Sequence, residues 1–252
     1  MADDQGVFTR LYESLEDSAV IASVMRRPGI DDPTRAMLAL SMVAARCEES
    51  EVPACVRRCV ANGLGRSEVA EVLLQVYCYA GVYAGLSSFS AARATFDELA
   101  RAGQLTPAQA AVCDASAPSR TIAERIADGA RMRRTLFGDE NVDRNEREAD
   151  AFMNVFWSNT HDFCFGNIWS RPLFDRSLRS QLCLAIASAA GQVGAVDRHV
   201  RSALCGGVSR ERIGEIFLLT AAIAGTGAAR AAFDKAQQVF DELATAAVAR
   251  LP

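Results

Sequence analysis

Apolar positions along the chain recur at three- and four-residue spacing, the period of a helix with one face turned to a core. Val69, Val72, Leu73, Val76 and Ala80 form one such series, and Ile213, Ile216, Phe217 and Thr220 form another in the same relative places. The two series lie 144 residues apart, the separation of Cys55 from His199. Slid by that distance without a gap, Arg27-Pro28 falls on Arg171-Pro172, Asp31 on Asp175, Arg35 on Arg179 and Leu40 on Leu184. Gly63 then meets Gly207, Arg66 meets Arg210, Glu71 meets Glu215, and Phe96-Asp97-Glu98-Leu99 meets Phe240-Asp241-Glu242-Leu243. Matches held in one register over so long a stretch point to a tandem duplication.

Each copy reads as a helical unit. Asp32-Pro33 suggests an N-cap followed by proline in the first turn, opening a helix through PTRAMLALSMVAARC, with SLRSQLCLAIASAAG as its partner. A shorter helix carries Cys55 or His199 and stops at Gly63 or Gly207. Ser209 can cap the next helix of the second copy, with Glu211 in its first turn, and Gly81 or Gly225 ends or bends that element. A last helix runs through AARATFDELA and AAFDKAQQVFDELA. Between the copies, QLTPAQAAVCDASAPS reads as a linker with a short helix. The expected organisation is therefore all-α: a first repeat over 1–105, a linker over 106–124 and a second repeat over 125–252. The segment RTIAERIADGARMRRTLFGDENVDRNEREADAF has no room for an equivalent in the first copy, so the repeats are expected to be unequal.

Composition agrees with close-packed helices. Half of the residues are apolar and only 7% are aromatic, which suits helices better than β-sandwiches. The net charge is −4 and the arginines are scattered, without the stripe that phosphate binding favours, so nucleic acid is not an expected partner. MADDQGVFTRLYESLED is acidic where a signal peptide would be basic and then apolar. No apolar run reaches the roughly 18 residues of a spanning helix. A cytoplasmic protein with no membrane partner is expected, its eight cysteines mostly reduced. No two of them stand in C-x-x-C spacing; Cys55 and Cys59, four apart, would share a helix face but read as small buried thiols, and no metal is expected.

In order, GARMRRTLFGDENVDR, FGNIWSRPLFDRSLRS and HVRSALCGGVSRERIGEI contain Gly-x-x-x-Arg-Arg, Trp-x-Arg-Pro and His-x-x-x-Ala-x-x-x-Gly. That combination resembles the signature segments of the carboxymuconolactone decarboxylase family over roughly residues 125 to 249, and more weakly over roughly 7 to 105. The resemblance implies an all-α fold, ring assemblies commonly of six units, and decarboxylation of a carboxylated lactone without a cofactor. The wider superfamily includes alkylhydroperoxidases that use a Cys-x-x-Cys pair with a nearby histidine, and this chain lacks the pair. It also departs from the family pattern: Leu173 follows Arg171-Pro172, whereas Gly29 follows Arg27-Pro28, and Gly206-Gly207 stands where the first copy keeps Asn62-Gly63. Met25 matches Trp169 and Cys55 matches His199, so the first copy reads as degenerate.

Cofactor-free decarboxylation needs carboxylates to be held and one proton to be moved. Arginine pairs with a carboxylate through two hydrogen bonds, and histidine exchanges protons near neutrality. The candidates are Arg171 and Arg179 for substrate binding, His199 for the proton, Glu215 to orient His199 or share its proton, and Trp169 as a pocket wall. The arginines could instead pair with Asp175 or with a neighbouring subunit, and His161, without motif support, reads as structural. A lyase acting on a small carboxylated lactone or conjugated cyclic acid is the first expectation. The alternatives are a diverted isomerase, dehydratase or cyclase, a thiol peroxidase using Cys55 and Cys59, and a non-catalytic ring-forming scaffold. Three fused chains would complete a six-unit ring, so a homotrimer is expected, with a dimer as the other packing.

Overall fold

A computed structural model of the protein describes residues 23–24, 26–112 and 120–248. Met25, the acidic N-terminal segment and residues 113–119 of the connecting stretch lie outside these. The first repeat supplies α1 (Asp32–Ala45), α2 (Val52–Ala61), α3 (Arg66–Tyr79) and α4 (Val82–Arg101). The second supplies α9 (Arg176–Ala189), α10 (Val193–Cys205), α11 (Arg210–Ala224) and α12 (Thr226–Val248). Ahead of α9 come the short α5 (Pro107–Ala110), then α6 (Ile122–Phe137), α7 (Asp139–Glu148) and α8 (Ala151–Thr160), the last continuing as a π-helix over His161–Trp169. Among the described residues there is no strand, and the fold is all-α with the helical unit present twice. No helix among them is long and apolar enough to cross a membrane.

The duplication extends to local chemistry. Asp31 Oδ1 accepts from the Thr34 amide at 3.0 Å, and Asp175 Oδ1 accepts from the Leu178 amide at 2.8 Å. The cap is therefore Asp31 rather than Asp32, because an extended N-cap residue reaches the amide three positions on. Ser209 does cap α11, accepting from the Arg212 amide at 3.1 Å. After α1 the chain turns through Cys47 at φ 59°, and after α9 through Gly191 at φ 69°. A left-handed residue there lets the next amide return to the helix end, Glu48 to the Val43 carbonyl and Gln192 to that of Ala187. Cys47 keeps this conformation without being glycine, held by the backbone bonds that close the helix end.

The halves do not have separate cores. One apolar cluster takes Leu38, Leu40, Met42 and Leu73 from the first repeat together with Leu182, Leu184, Ile186 and Phe217 from the second. Helix α1 packs against its own counterpart α9, while α3 meets α9 as α11 meets α1. This is the contact pattern of a pseudo-twofold pair, in which equivalent elements face each other across the axis.

Helix α6 and the π segment form an arm laid against this core. They cross backbone to backbone at two glycines: a Cβ on Gly129 would lie 1.9 Å from the His161 carbonyl oxygen, and one on Gly166 would lie 2.1 Å from that of Arg125. The close crossing and the widened π turn together set where Cys164 and Trp169 enter the interior.

Candidate functional site

The pseudo-twofold exchanges partners between the halves. Arg171, at the start of the second repeat, donates from Nε to both carboxylate oxygens of Glu71 on α3, at 2.9 and 2.8 Å. Arg179 donates to Glu71 Oε1 at 2.6 Å, to the Arg171 carbonyl at 2.9 Å and to Gln75 Oε1 at 3.3 Å. Conversely Arg27 of the first repeat forks onto Glu215 on α11, at 2.7 and 2.6 Å. Two composite sites result, one with Arg171 and Arg179 of the second half on Glu71 of the first, the other with Arg27 of the first half on Glu215 of the second.

Burial separates them. Glu71 and Arg179 have 1% and 0% of their side-chain surface exposed, whereas Arg27 retains 45%. Arg27 holds the Glu215 carboxyl below the usual carboxylate range, chiefly through their hydrogen bond. Asp175, one alternative partner for Arg171 and Arg179, is engaged as the α9 cap, and both arginines meet Glu71 instead.

The Glu71 site continues inward as a chain of polar groups. Gln75 Nε2 lies 3.3 Å from Cys183 Sγ, and beyond it stand Cys78, Cys164, Tyr79 and Trp169. Trp169 Nε1–H donates to Tyr79 Oη at 2.8 Å, and Cys164 Sγ is 3.4 Å from the same oxygen. Tyr79 meets the His199 ring edge-on, with centroids 5.1 Å apart. His199 lies buried on α10, its Nδ1 without a hydrogen-bond partner among the described residues. Burial, with a smaller contribution from Arg198, lowers its pKa from 6.5 to about 3, so the imidazole is neutral near neutral pH. Burial also pushes Cys183 up to about 12.

Of the residues singled out in the sequence, Arg171, Arg179, Trp169 and His199 therefore belong to one connected set. Glu215 falls in the other composite site, with Arg27, and Gly29 is pressed against it: a Cβ there would lie 2.4 Å from Glu215 Cγ. The carboxylate brought to Arg171 and Arg179 is that of Glu71. Cys55 and Cys59 carry thiols raised by burial to about 11 and about 12, protonated and poorly nucleophilic at neutral pH. His161 is held in the arm, its Nε2 3.4 Å from Arg133 Nη1.

Glu71, Gln75, Tyr79, Cys78, Cys164 and Cys183 were not singled out by motif. One signal was available. At the duplication offset Gln75 stands against Leu219, Cys78 against Ala222, Tyr79 against Ile223 and Cys183 against Ala39, each with a heteroatom in its side chain in one copy and none in the other. The Arg27–Glu215 site thus keeps its ion pair but has apolar residues at those positions.

Away from this set, a groove of about 560 Å³ between α6 and α8 is lined by residues including Ile122, Val155 and Asp162 and by none of the candidates. The polar set is enclosed, with Trp169 2% and His199 5% exposed, and the Arg171 side chain retains 20%.

The model of the carboxymuconolactone decarboxylase family matches twice, over residues 12–94 and 158–238. A 4-carboxymuconolactone decarboxylase from Acinetobacter baylyi is 29% identical over 123 residues, 49% of this chain and 92% of that protein. A nitrosuccinic acid decarboxylase from Metarhizium robertsii is 29% identical over 99 residues, 39% of this chain and 69% of that protein.

Proposed function

The chain belongs to the carboxymuconolactone decarboxylase family, and we propose that it is a decarboxylase-type lyase whose reaction is carried by its own side chains, without metal or organic cofactor, at the Glu71–Arg171–His199 site. The substrate class is a small carboxylic acid with an electron-accepting group conjugated with, or next to, the carbon that loses carbon dioxide. A conjugated lactone carbonyl and a nitro group both meet that description, and the names of the two relatives supply one of each.

The observation that carries the reading is a neutral, buried imidazole with an unbonded nitrogen in the same connected set as an arginine that still has donors to offer. Arg171 uses Nε on Glu71, and among the described residues its two terminal nitrogens have no hydrogen-bond partner, which suits a forked pairing with a substrate carboxylate. Arg179, bonded through its two terminal nitrogens to Glu71, Gln75 and a backbone carbonyl, holds Arg171 and Glu71 in place. In the reaction the bond to the departing carboxylate breaks, its electron pair moves onto the acceptor group, and the carbon is then protonated. His199 is neutral in the free protein, and a bound anion raises its affinity for a proton, so substrate binding itself loads the proton donor. Trp169 closes the site through its bond to Tyr79.

Incubation with 4-carboxymuconolactone and with nitrosuccinic acid, following carbon dioxide release, tests the proposal. Turnover of either is expected, and His199→Ala is expected to lower it by ~100-fold or more with the fold intact. Full activity in that variant would remove His199 from the chemistry, and no release from either acid would remove the reaction class for these substrates. The enclosure of the set favours a second reading, a binding protein of the same architecture without turnover. Saturable binding of 4-carboxymuconolactone with no carbon dioxide release would select it. In either case we propose a homo-oligomer of three chains, which supplies six helical units.

A further inference from the structure

His199 makes no hydrogen bond among the described residues, so packing has to orient its ring. The residue packed against it comes from the other half of the chain. Tyr79, at the end of α3, stands at 77° to the imidazole with centroids 5.1 Å apart, the edge-to-face arrangement that ring quadrupoles favour. Its own freedom is removed on the far side. Trp169 Nε1–H donates to its hydroxyl at 2.8 Å and Cys164 Sγ lies 3.4 Å away, while Gln192, at the entrance to α10, donates from Nε2 to the Tyr79 carbonyl at 3.3 Å. A phenol tied at its hydroxyl and its backbone presents a fixed surface to whatever packs on its ring.

The geometry points to Tyr79 as the positioning residue for His199, a contribution of the first repeat to the working site that fixes the plane of the imidazole and keeps water from it. At the other composite site the aligned residues are Ile223 and Cys55, which offer neither a planar ring nor an imidazole to place. The two positions differ together between the halves, as a ring and the ring it orients would. The charged group acting on His199 is Arg198, its neighbour on α10. From α3 the titratable group that meets it is Tyr79, with Cys164 of the π segment and Cys183 of α9 behind; burial raises Tyr79 so that the phenol stays neutral. The inference rests on the reading of His199 as the proton carrier, but its test does not require turnover.

Ring ¹⁵N signals of the substrate-free protein are assigned with His199→Ala, which is feasible because the chain has two histidines. In the unaltered chain His199 is expected to show one neutral tautomer and to titrate far below 6.5, near about 3. Tyr79→Ile, copying the other site, is expected to move that midpoint up by at least about one unit and to mix the tautomers. Tyr79→Phe keeps the ring but frees it from Trp169 and Cys164, so the midpoint stays low while the tautomer signature broadens. If Tyr79→Ile fails to fold, Tyr79→Phe decides. Unchanged His199 signals in the folded variant overturn the proposal. With 4-carboxymuconolactone as substrate, Tyr79→Phe is further expected to lower kcat by ~10-fold with KM within about threefold. Absence of turnover in the unaltered chain counts against the proposed reaction, whereas the ¹⁵N result alone decides the role of Tyr79.

Discussion

Glu71 and Glu215 occupy equivalent positions of a duplicated chain, yet the water around their partners makes them different residues. Glu71 compensates a guanidinium with no exposed surface, so its removal leaves Arg179 charged and unpaired in the interior. Glu71→Ala is therefore expected to lose about 3–5 kcal/mol of unfolding free energy in chemical denaturation. Glu215→Ala releases Arg27, whose side chain is already half in water, and a much smaller loss is expected in the same measurement. Equal losses would mean that the two composite sites are energetically alike. His199 and Cys55 form a similar pair, since burial disfavours the charged form of each: it keeps the imidazole neutral and the thiol protonated. A protonated thiol is a weak nucleophile. The swap visible in the sequence thus exchanges a neutral imidazole for a protonated thiol, each set by its burial.

Among the elements, the arm formed by α6 and the π segment decides where Trp169 and Cys164 stand. Its crossing leaves no room for a side chain at Gly129, where the obstructing atoms belong to the backbone of His161 and Gly166 and cannot turn aside. Gly129→Ala is expected to destabilise the protein by at least about 1–3 kcal/mol and to change near-ultraviolet circular dichroism, as Trp169 shifts with the π segment. An unchanged melting temperature would show that the arm is not anchored at this crossing. The helices of the arm were legible as periodic segments, and its glycine stands in the motif that carried the family resemblance. The π turn was not legible, because an i to i+5 register has no composition signature and depends on the helix packed beside it.

At the level of the molecule, one core joins the repeats, so each half covers apolar surface of the other. Helix α8 is different. None of its ten residues is buried, and Phe152 and Val155 remain 82% and 73% exposed on one face beside the groove with Ile122. On a chain proposed to self-associate, a stripe of that kind is where contact with another copy is expected. Light scattering is expected to give three times the 27.1 kDa chain mass, and Phe152→Glu with Val155→Glu is expected to give a smaller species. A monomer in the unaltered protein would refute the assembly, and a dimer would require a different packing of the halves.

The duplication, the helices with their glycine stops and the Ser209 cap, and the position of the one histidine that carries the family motif could all be read from the order of residues. These features depend on contacts within a few positions or on comparison of one copy with the other. Which carboxylate meets Arg171 and Arg179 could not be read that way. Alignment pairs equivalent residues, Glu71 with Glu215, while the pseudo-twofold packing pairs non-equivalent ones, Arg171 with Glu71 and Arg27 with Glu215. The choice goes with the apolar faces of α1, α3, α9 and α11, which pack into one core shared by the halves. Tyr79 reaches His199 for the same reason: α3 is remote from α10 along the chain, and it is the shared core that lays one beside the other.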